Sequence, residues 1–492
     1  VSHLPPAAPV YSRAVRPIPE PNHAAGARHA GRQGVASHHP AGWYRLLAGL
    51  LSLLVVSATG CGGRQPPVTG GGWHAGEARR VLVLVPGITG SVLRDTVSGK
   101  VAWGRGRNLI APHDGAYRLA LPIAEPPPGA APRPQLVADG ILRGMSLLGL
   151  HRAIYQPVID LFTANGYRLG DLEAPRSDRD FFLFSFDWRQ DNIRTAQQLF
   201  AALEGVRRAR GGRRLDVDLV CQSNGGAVCR WLARYGDAGL EAAEAGTAGP
   251  PDSLVIHHVV LVGTSNGGSI RTLREMTRGR RYVSWVGRRF EPEVFFTVPA
   301  FFQDLPIYRP DFFVDSDGES MAVDVFDPEN WLRYGWSIWS PRAKRSLQKR
   351  HPPARFFGNE KERRAHLERM LDRASRLEHR LAGSGPLAPE THYHLIQNVS
   401  WETPDRALIE PDPDGGWHLR FTGDKDLRAR GALLAAITAK GDGHATRASQ
   451  LYLSAAEHSA VVGEVFPVLA EHFKTILQPV AHEHLLEILS AP

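Results

Sequence analysis

Cysteine is scarce in this 492-residue chain: Cys61, Cys221 and Cys229 are all it has. No pair has zinc-ligand spacing, and three thiols make no disulfide framework. Runs rich in Lys and Arg are also missing. The formal net charge is +8, yet residues 1–60 hold five Arg, no Lys and one Glu, and so supply half of it. This argues against a nucleic-acid partner. Solenoid-type repeats are absent as well. The one apolar run near the N-terminus, Leu46 to Val56, falls short of the roughly twenty residues a bilayer span needs.

What the chain does have is material for a large core, with 43% hydrophobic residues, and for many turns, with 50 Gly and 37 Pro. Residues 1–40 are rich in Pro, Ala, His, Gly and Arg without periodicity, and read as a disordered leader or an early-placed start. Residues 41–61 have a basic flank, a short apolar stretch and small residues before Cys61. That is the order of a secretory signal. The small residues leading into Cys61 resemble a bacterial lipobox, with Ala58 where Leu is usual. This implies that Cys61 carries a lipid anchor and that residues 62–76 form a tether. The expected location is the cell envelope, at a membrane surface, or outside the cell if Cys61 is not lipidated.

Strand and helix patterns then alternate. VLVLVPG (81–87), FFLFSFD (181–187), LDVDLVCQS (215–223), LVIHHVVLVG (254–263) and HYHLIQN (392–398) read as strands, the first buried on both faces. GWHLRF (416–421) reads as a hairpin arm and QLYLS (450–454) as the last strand. Helical spacing recurs over 147–162, 193–208, 227–235 and 462–473. The alternation predicts an α/β fold with a mostly parallel sheet and helices on both faces. Residues 269–391 break it and predict an inserted cap or lid. The core then comprises 77–268 and 392–480, with 481–492 as a tail.

The third strand ends in Cys221-Gln222-Ser223-Asn224-Gly225-Gly226. A serine at a sharp strand-to-helix turn is the nucleophile elbow of α/β-hydrolases. Gly225 meets the need for a small residue after the serine, and Cys221 stands where Gly is usual before it. Gly263-Thr264-Ser265-Asn266-Gly267 fits the G-x-S-x-G pattern better, but Gly268-Ser269 continues it poorly as a helix. Ala227 to Arg234 makes a good one, whose N-terminus would stabilise developing negative charge. Ser223 is therefore the expected nucleophile and Ser265 a decoy.

In this fold the oxyanion donors are the residue after the serine and one from an early loop. These predict the N–H groups of Asn224 and Ile88, with Gly87 letting the backbone approach the substrate. The acid should precede the base in the chain. Asp442, in the glycine-flanked loop Gly441-Asp442-Gly443, is the expected acid, with Asp424 and Asp426 as alternatives. His458, after QLYLSAAE, is the expected base; His444 lies too near Asp442 and is read as a pocket wall or surface residue.

Together these segments resemble the lecithin:cholesterol acyltransferase family, which includes lysosomal phospholipase A2. Val85 to Ser91 is similar to its oxyanion turn and Phe186-Asp187-Trp188-Arg189 to its Tyr-Asp-Trp-Arg signature. Ser223 to Gly226, Gly263 to Ser269 and Gly441 to Gly443 are similar to its elbow, the following turn and its acid loop. The resemblance implies a lipid ester, from a phospholipid, as substrate, an acyl-serine intermediate, and water or an alcohol as acceptor. It implies no metal or organic cofactor. Trp188 would line the acyl pocket, with core packing as the alternative. Residues 298–306 and 331–339 would be apolar lid surfaces, or pack inside the cap. Only Cys221 and Cys229 remain as partners for a family disulfide, so none is expected and Cys229 reads as a buried thiol. A plain carboxylesterase or lipase, or a lipid-binding envelope protein whose catalysis has decayed, are the competing readings.

Overall fold

The computed structural model describes residues 80–105, 115–123, 135–147, 150–281, 289–350, 357–413, 415–463 and 465–490. The leader, the signal segment, Cys61 and the tether lie outside these residues. Among the described residues no helix is long and apolar enough to cross a membrane.

Six strands make the central sheet: β1 (Val81–Val85), β2 (Phe181–Leu183), β3 (Leu215–Gln222), β4 (Leu254–Val262), β5 (His392–Asn398) and β6 (Phe466–Val468). Their order is β6-β5-β4-β3-β1-β2, and every neighbouring pair is parallel. Side chains alternate across a strand, so a sheet covered on both faces needs apolar residues at every position. β1 does this: Val81, Val83 and Val85 join one core cluster, and Leu82 and Leu84 join the other. The fold is an α/β-hydrolase fold.

Helices α1 (Gln156–Ala164), α2 (Asn192–Ala209), α3 (Gly225–Tyr235), α4 (Ile270–Arg278), α5 (Glu360–Ala382) and α6 (Pro479–Ser490) are its main helical elements. The α2 N-terminus is capped by Asp191, which accepts from Ile193 and Arg194 N–H. α5 starts with a capping box between Asn359 and Glu362.

The end of the chain differs from its reading in the sequence. QLYLS is no strand: its first residue, Gln450, closes a short helix, Arg447–Gln450, and the sixth core strand is Phe466–Val468 instead. The helical pattern over 462–473 is therefore also broken. The expected tail is helix α6, whose Ala481, Leu485 and Leu489 are buried in the core. Gly144–Leu147 and Leu150–Ala153 pair as antiparallel strands, and the helix starts only at Gln156.

The cap is not confined to the stretch before β5. Ser320–Met321 and Phe313–Val314 build a four-stranded sheet with Ala407–Pro411 and Trp417–Arg420, which follow β5. Its aromatics turn inward. Phe301, Phe302, Trp331, Trp336 and Trp339 are all buried, so residues 298–306 and 331–339 form a cap core and no exposed apolar surface.

Candidate active site

β1, β3 and β4 are adjacent in the sheet, so the turns after them gather at one edge, where ligands bind in open parallel sheets. The turn after β3 holds Ser223 at φ 55°, a left-handed conformation that costs a non-glycine residue roughly 1–2 kcal/mol. Its own hydrogen bonds hold it there. Ser223 N–H donates to Val262 C=O at 3.1 Å, and Gly226 N–H to Ser223 C=O at 2.9 Å. Gly225 is required by close approach: a Cβ there would sit 2.7 Å from the carbonyl oxygens of Val85 and Pro86.

A disulfide joins Cys221 to Cys229, across the two arms of the elbow. The sequence reading expected no disulfide and a free thiol at Cys229. The elbow folds α3 back along β3, which brings the two Cα atoms to 6.6 Å despite the eight-residue separation, within bridging range.

Asp442 reaches the site by a zipper. After β5 the chain leaves as Trp401–Pro404 and returns as Thr438–Gly441, antiparallel and in register Trp401↔Gly441. The next residue is Asp442, delivered back to the end of β5. Its carboxylate is 1% exposed and accepts from His444 N–H at 2.8 Å, Ala445 N–H at 2.7 Å and the His472 ring. Burial by itself raises an aspartate pKa. Here the charge and hydrogen bond of His472, with His444, outweigh it and hold Asp442 below its ordinary value.

His472 is the histidine of the site. Its Nδ1 lies 2.6 Å from Asp442 Oδ2 and its Nε2 lies 2.8 Å from Ser223 Oγ. A carboxylate can only accept, so Nδ1 carries the proton and Nε2 is free to accept from the serine hydroxyl. His472 N–H also donates to Asp442 C=O at 2.9 Å.

The expected base, His458, is not part of this chain of hydrogen bonds. It lies on the short helix Ala455–Ser459, which buries its neighbour Glu457 against Arg230 at 2.8 Å and leaves residue 458 exposed. His444, read as a pocket wall or a surface residue, lines the cavity. Its ring lies 4.7 Å from that of His472, and its Nε2 is 3.0 Å from Asp304 Oδ2. Ser265 donates its hydroxyl to Asp304 and meets no histidine, which fits its reading as a decoy. Asp424 pairs with Arg278 and Asp426 with Arg420, so neither alternative acid reaches the serine.

The two expected oxyanion donors flank the serine. Ile88 and Asn224 both line the cavity with Ser223, and neither backbone N–H donates to another described residue. The N–H of Gly87 is committed to the Tyr155 hydroxyl at 3.2 Å. Gly87 itself is packed against the serine and does not line the cavity: a Cβ there would fall 2.7 Å from Ser223 Cβ. Asn224 is fixed by a reciprocal side-chain pair with Asn192, at 3.1 and 2.8 Å.

Trp188 is not a pocket residue. It is 3% exposed and packs edge-on against Trp103, which does line the cavity. The surrounding Phe186–Arg189 segment is structural. Asp187 and Arg189 form a two-armed ion pair at 2.8 and 2.7 Å, and Phe186 N–H donates to Ser91 Oγ.

The cavity measures about 550 Å³. Trp401 and Phe473 line it and are each 46% exposed, so the apolar surface that the cap lacks is at the cavity mouth.

No protein-family model matches the chain, and no curated protein matches it. Solved structures do. A chain of the Tle4–Tli4 complex is similar with a TM-score of 0.52 and 16% identity, covering 84% of this chain and 99% of that one. At that identity the likeness carries the fold alone. Membership of the lecithin:cholesterol acyltransferase family, expected from the ordered motifs, is therefore corrected: the comparisons return no such family. The motifs mark what the fold needs locally, namely glycines at close approaches and a buried Asp–Arg pair.

Proposed function

We propose that this chain is a serine-dependent acyl hydrolase acting on lipid esters. The observation that carries the reading is the continuous line Ser223 Oγ to His472 Nε2 to Asp442 Oδ2, at 2.8 and 2.6 Å, beside two uncommitted N–H groups. His472 takes the Ser223 proton as the hydroxyl attacks the ester carbonyl carbon. Asp442 holds the ring and stabilises the imidazolium that forms. The carbonyl oxygen gains negative charge and is met by the Ile88 and Asn224 N–H groups, a contribution of roughly 3–4 kcal/mol per donor. Collapse expels the alcohol, which receives the proton from His472, and leaves an acyl-serine. Water, deprotonated by the same ring, releases the acid.

Lipid esters are favoured over small soluble ones by the cavity's size and by Trp401 and Phe473 at its mouth, where an acyl chain can leave water. An alcohol in place of water would make the same acyl-enzyme a transferase. Product analysis with and without added alcohol separates the two.

The test is fluorophosphonate labelling and hydrolysis of a phospholipid panel by wild type, Ser223→Ala and Ser265→Ala. Labelling and hydrolysis lost in Ser223→Ala and kept in Ser265→Ala are the expected result. An unlabelled wild type would favour a lipid-binding protein without catalysis.

A further inference from the structure

The G-x-S-x-G turn around Ser265 supplies no nucleophile, yet it supports a residue of the cavity. Ser265 and Thr272 both donate their hydroxyls to the Asp304 carboxylate, and Ser269 N–H donates to Asp304 C=O at 2.8 Å. Asp304 is buried, and its Oδ2 lies 3.0 Å from His444 Nε2. The loop that bears the ring is fixed as well. His444 N–H donates to Asp442 Oδ1 at 2.8 Å, Ser269 Oγ donates to His444 C=O, and Arg271 donates to Gly443 C=O. The result is a second Asp–His pair, its ring centre 4.7 Å from that of His472.

Asp304 sets the tautomer of His444. A carboxylate only accepts, so Nε2 carries the proton, and in the neutral ring Nδ1 is an acceptor. Among the described residues nothing donates to that nitrogen, and the side chain is 13% exposed where it lines the cavity with Ser223. In an acyl-enzyme Ser223 has no proton to give, so His472 Nε2 is a free acceptor too. Two imidazole acceptors then border one space. A single oxygen at about 3 Å from each bridges nitrogens up to about 6 Å apart. Water carries two O–H groups on that oxygen and satisfies both. A monohydric alcohol carries one, and puts carbon where the second hydrogen should be.

We propose that His444 selects water as the acceptor of the acyl group, its Nδ1 accepting one O–H of the water while His472 Nε2 accepts the other. This rests on the reading of Ser223 as the acylated serine. The water oxygen bonds to the acyl carbon, and the proton facing His472 moves to Nε2. The bond from the acyl carbon to Ser223 Oγ then breaks, Oγ recovers that proton from His472, and the carboxylic acid leaves. His444 exchanges no proton; it orients the second O–H. An alcohol in the same place leaves Nδ1 desolvated and unpaired, which disfavours transfer relative to hydrolysis.

The fate of one acyl-enzyme tests this. p-Nitrophenyl butyrate is turned over with added ethanol at about pH 8, above the ordinary imidazole range, and butyric acid and ethyl butyrate are measured. Their ratio is set after acylation, so a general loss of activity or of folded enzyme does not move it. The acid-to-ester ratio should fall roughly tenfold in His444→Phe and in His444→Ala. It should fall less in His444→Asn, whose side-chain oxygen restores an acceptor on Cγ, where Nδ1 was. A ratio unchanged in either His444→Phe or His444→Ala overturns the proposal, and so does a ratio in His444→Asn as low as in His444→Ala. With fluorophosphonate labelling intact, either result removes this inference alone and leaves the acyl-serine. A wild type that releases neither product and takes no label overturns the reading of Ser223, and this inference with it.

Discussion

His472→Ala takes away the ring that accepts the Ser223 proton. Turnover of any ester substrate should fall by at least about 10³-fold, with folding intact by circular dichroism. His458→Ala, at an exposed position away from the site, should leave turnover within about twofold. Gly87→Ala should also abolish turnover and fluorophosphonate labelling, because its Cβ would overlap that of Ser223. The serine and the acid were legible in the sequence because each sits in a turn whose backbone demands glycine: Ser223 before Gly225, Asp442 between Gly441 and Gly443. The base was not. It follows the strand Phe466-Pro467-Val468, three residues long and containing a proline, which a pattern reader rejects. That strand is tolerated because it lies at the edge of the sheet, where a missing donor costs little. QLYLS looked more like a strand, and the histidine nearest to it was chosen. Trp188 misled for another reason: a tryptophan beside an Asp–Arg pair looks the same in sequence whether it lines a cavity or packs one shell behind it.

Between elements, the Cys221–Cys229 bond ties β3 to α3 around the strained serine. Replacing both cysteines by alanine should lower stability by about 2–3 kcal/mol, read by urea unfolding, with no further change on adding reductant. The bridge was hidden in the sequence because an eight-residue spacing says nothing of a chain reversal. A second cluster joins β3, β4 and β5. His258 Nδ1 lies 3.0 Å from His394 Nε2, and its backbone N–H donates to Asp218 Oδ1 at 3.2 Å. Burial, aided by neighbouring imidazoles, lowers His258 to about 3 and His394 to about 4. Burial raises Asp218 to about 7, against the pull of Arg80. The two rings bind fewer protons folded than unfolded below about pH 6.5, so their contribution is lost as pH falls toward 4. The carboxyl binds more when folded, so its contribution is full below about pH 3.8 and lost as pH rises through about 7. Between pH 4 and 6.5 the two rings outweigh the one carboxyl by about one proton, or about 1.4 kcal/mol per pH unit. His394→Gln should flatten that acid slope relative to wild type, measured by urea unfolding at pH 5 and pH 6.5.

Across the whole molecule, the segment that bears His472 is anchored to the helix behind the serine. Glu457 is fully buried and accepts from Arg230 of α3 at 2.8 Å through both oxygens, with Arg234 at 3.9 Å. Glu457→Gln leaves two arginines short of their counter-charge and should cost about 3–5 kcal/mol in unfolding free energy. The parallel sheet was readable over five of its strands from apolar runs. The cap was less so, because its four-stranded sheet draws on residues from both sides of β5, and no local pattern reveals a sheet assembled from distant pieces. The cap is held down where it matters. Asp191, which caps α2, also receives Arg373 of α5, at 2.6 Å, and the side-chain amide of Gln303. The carbonyl of that same Gln303 accepts the Asn192 N–H, and Asn192 grips Asn224. Prying the roof from the body would thus pull the backstop from behind the very amide that faces a nascent alkoxide: roof and oxyanion cradle share one latch.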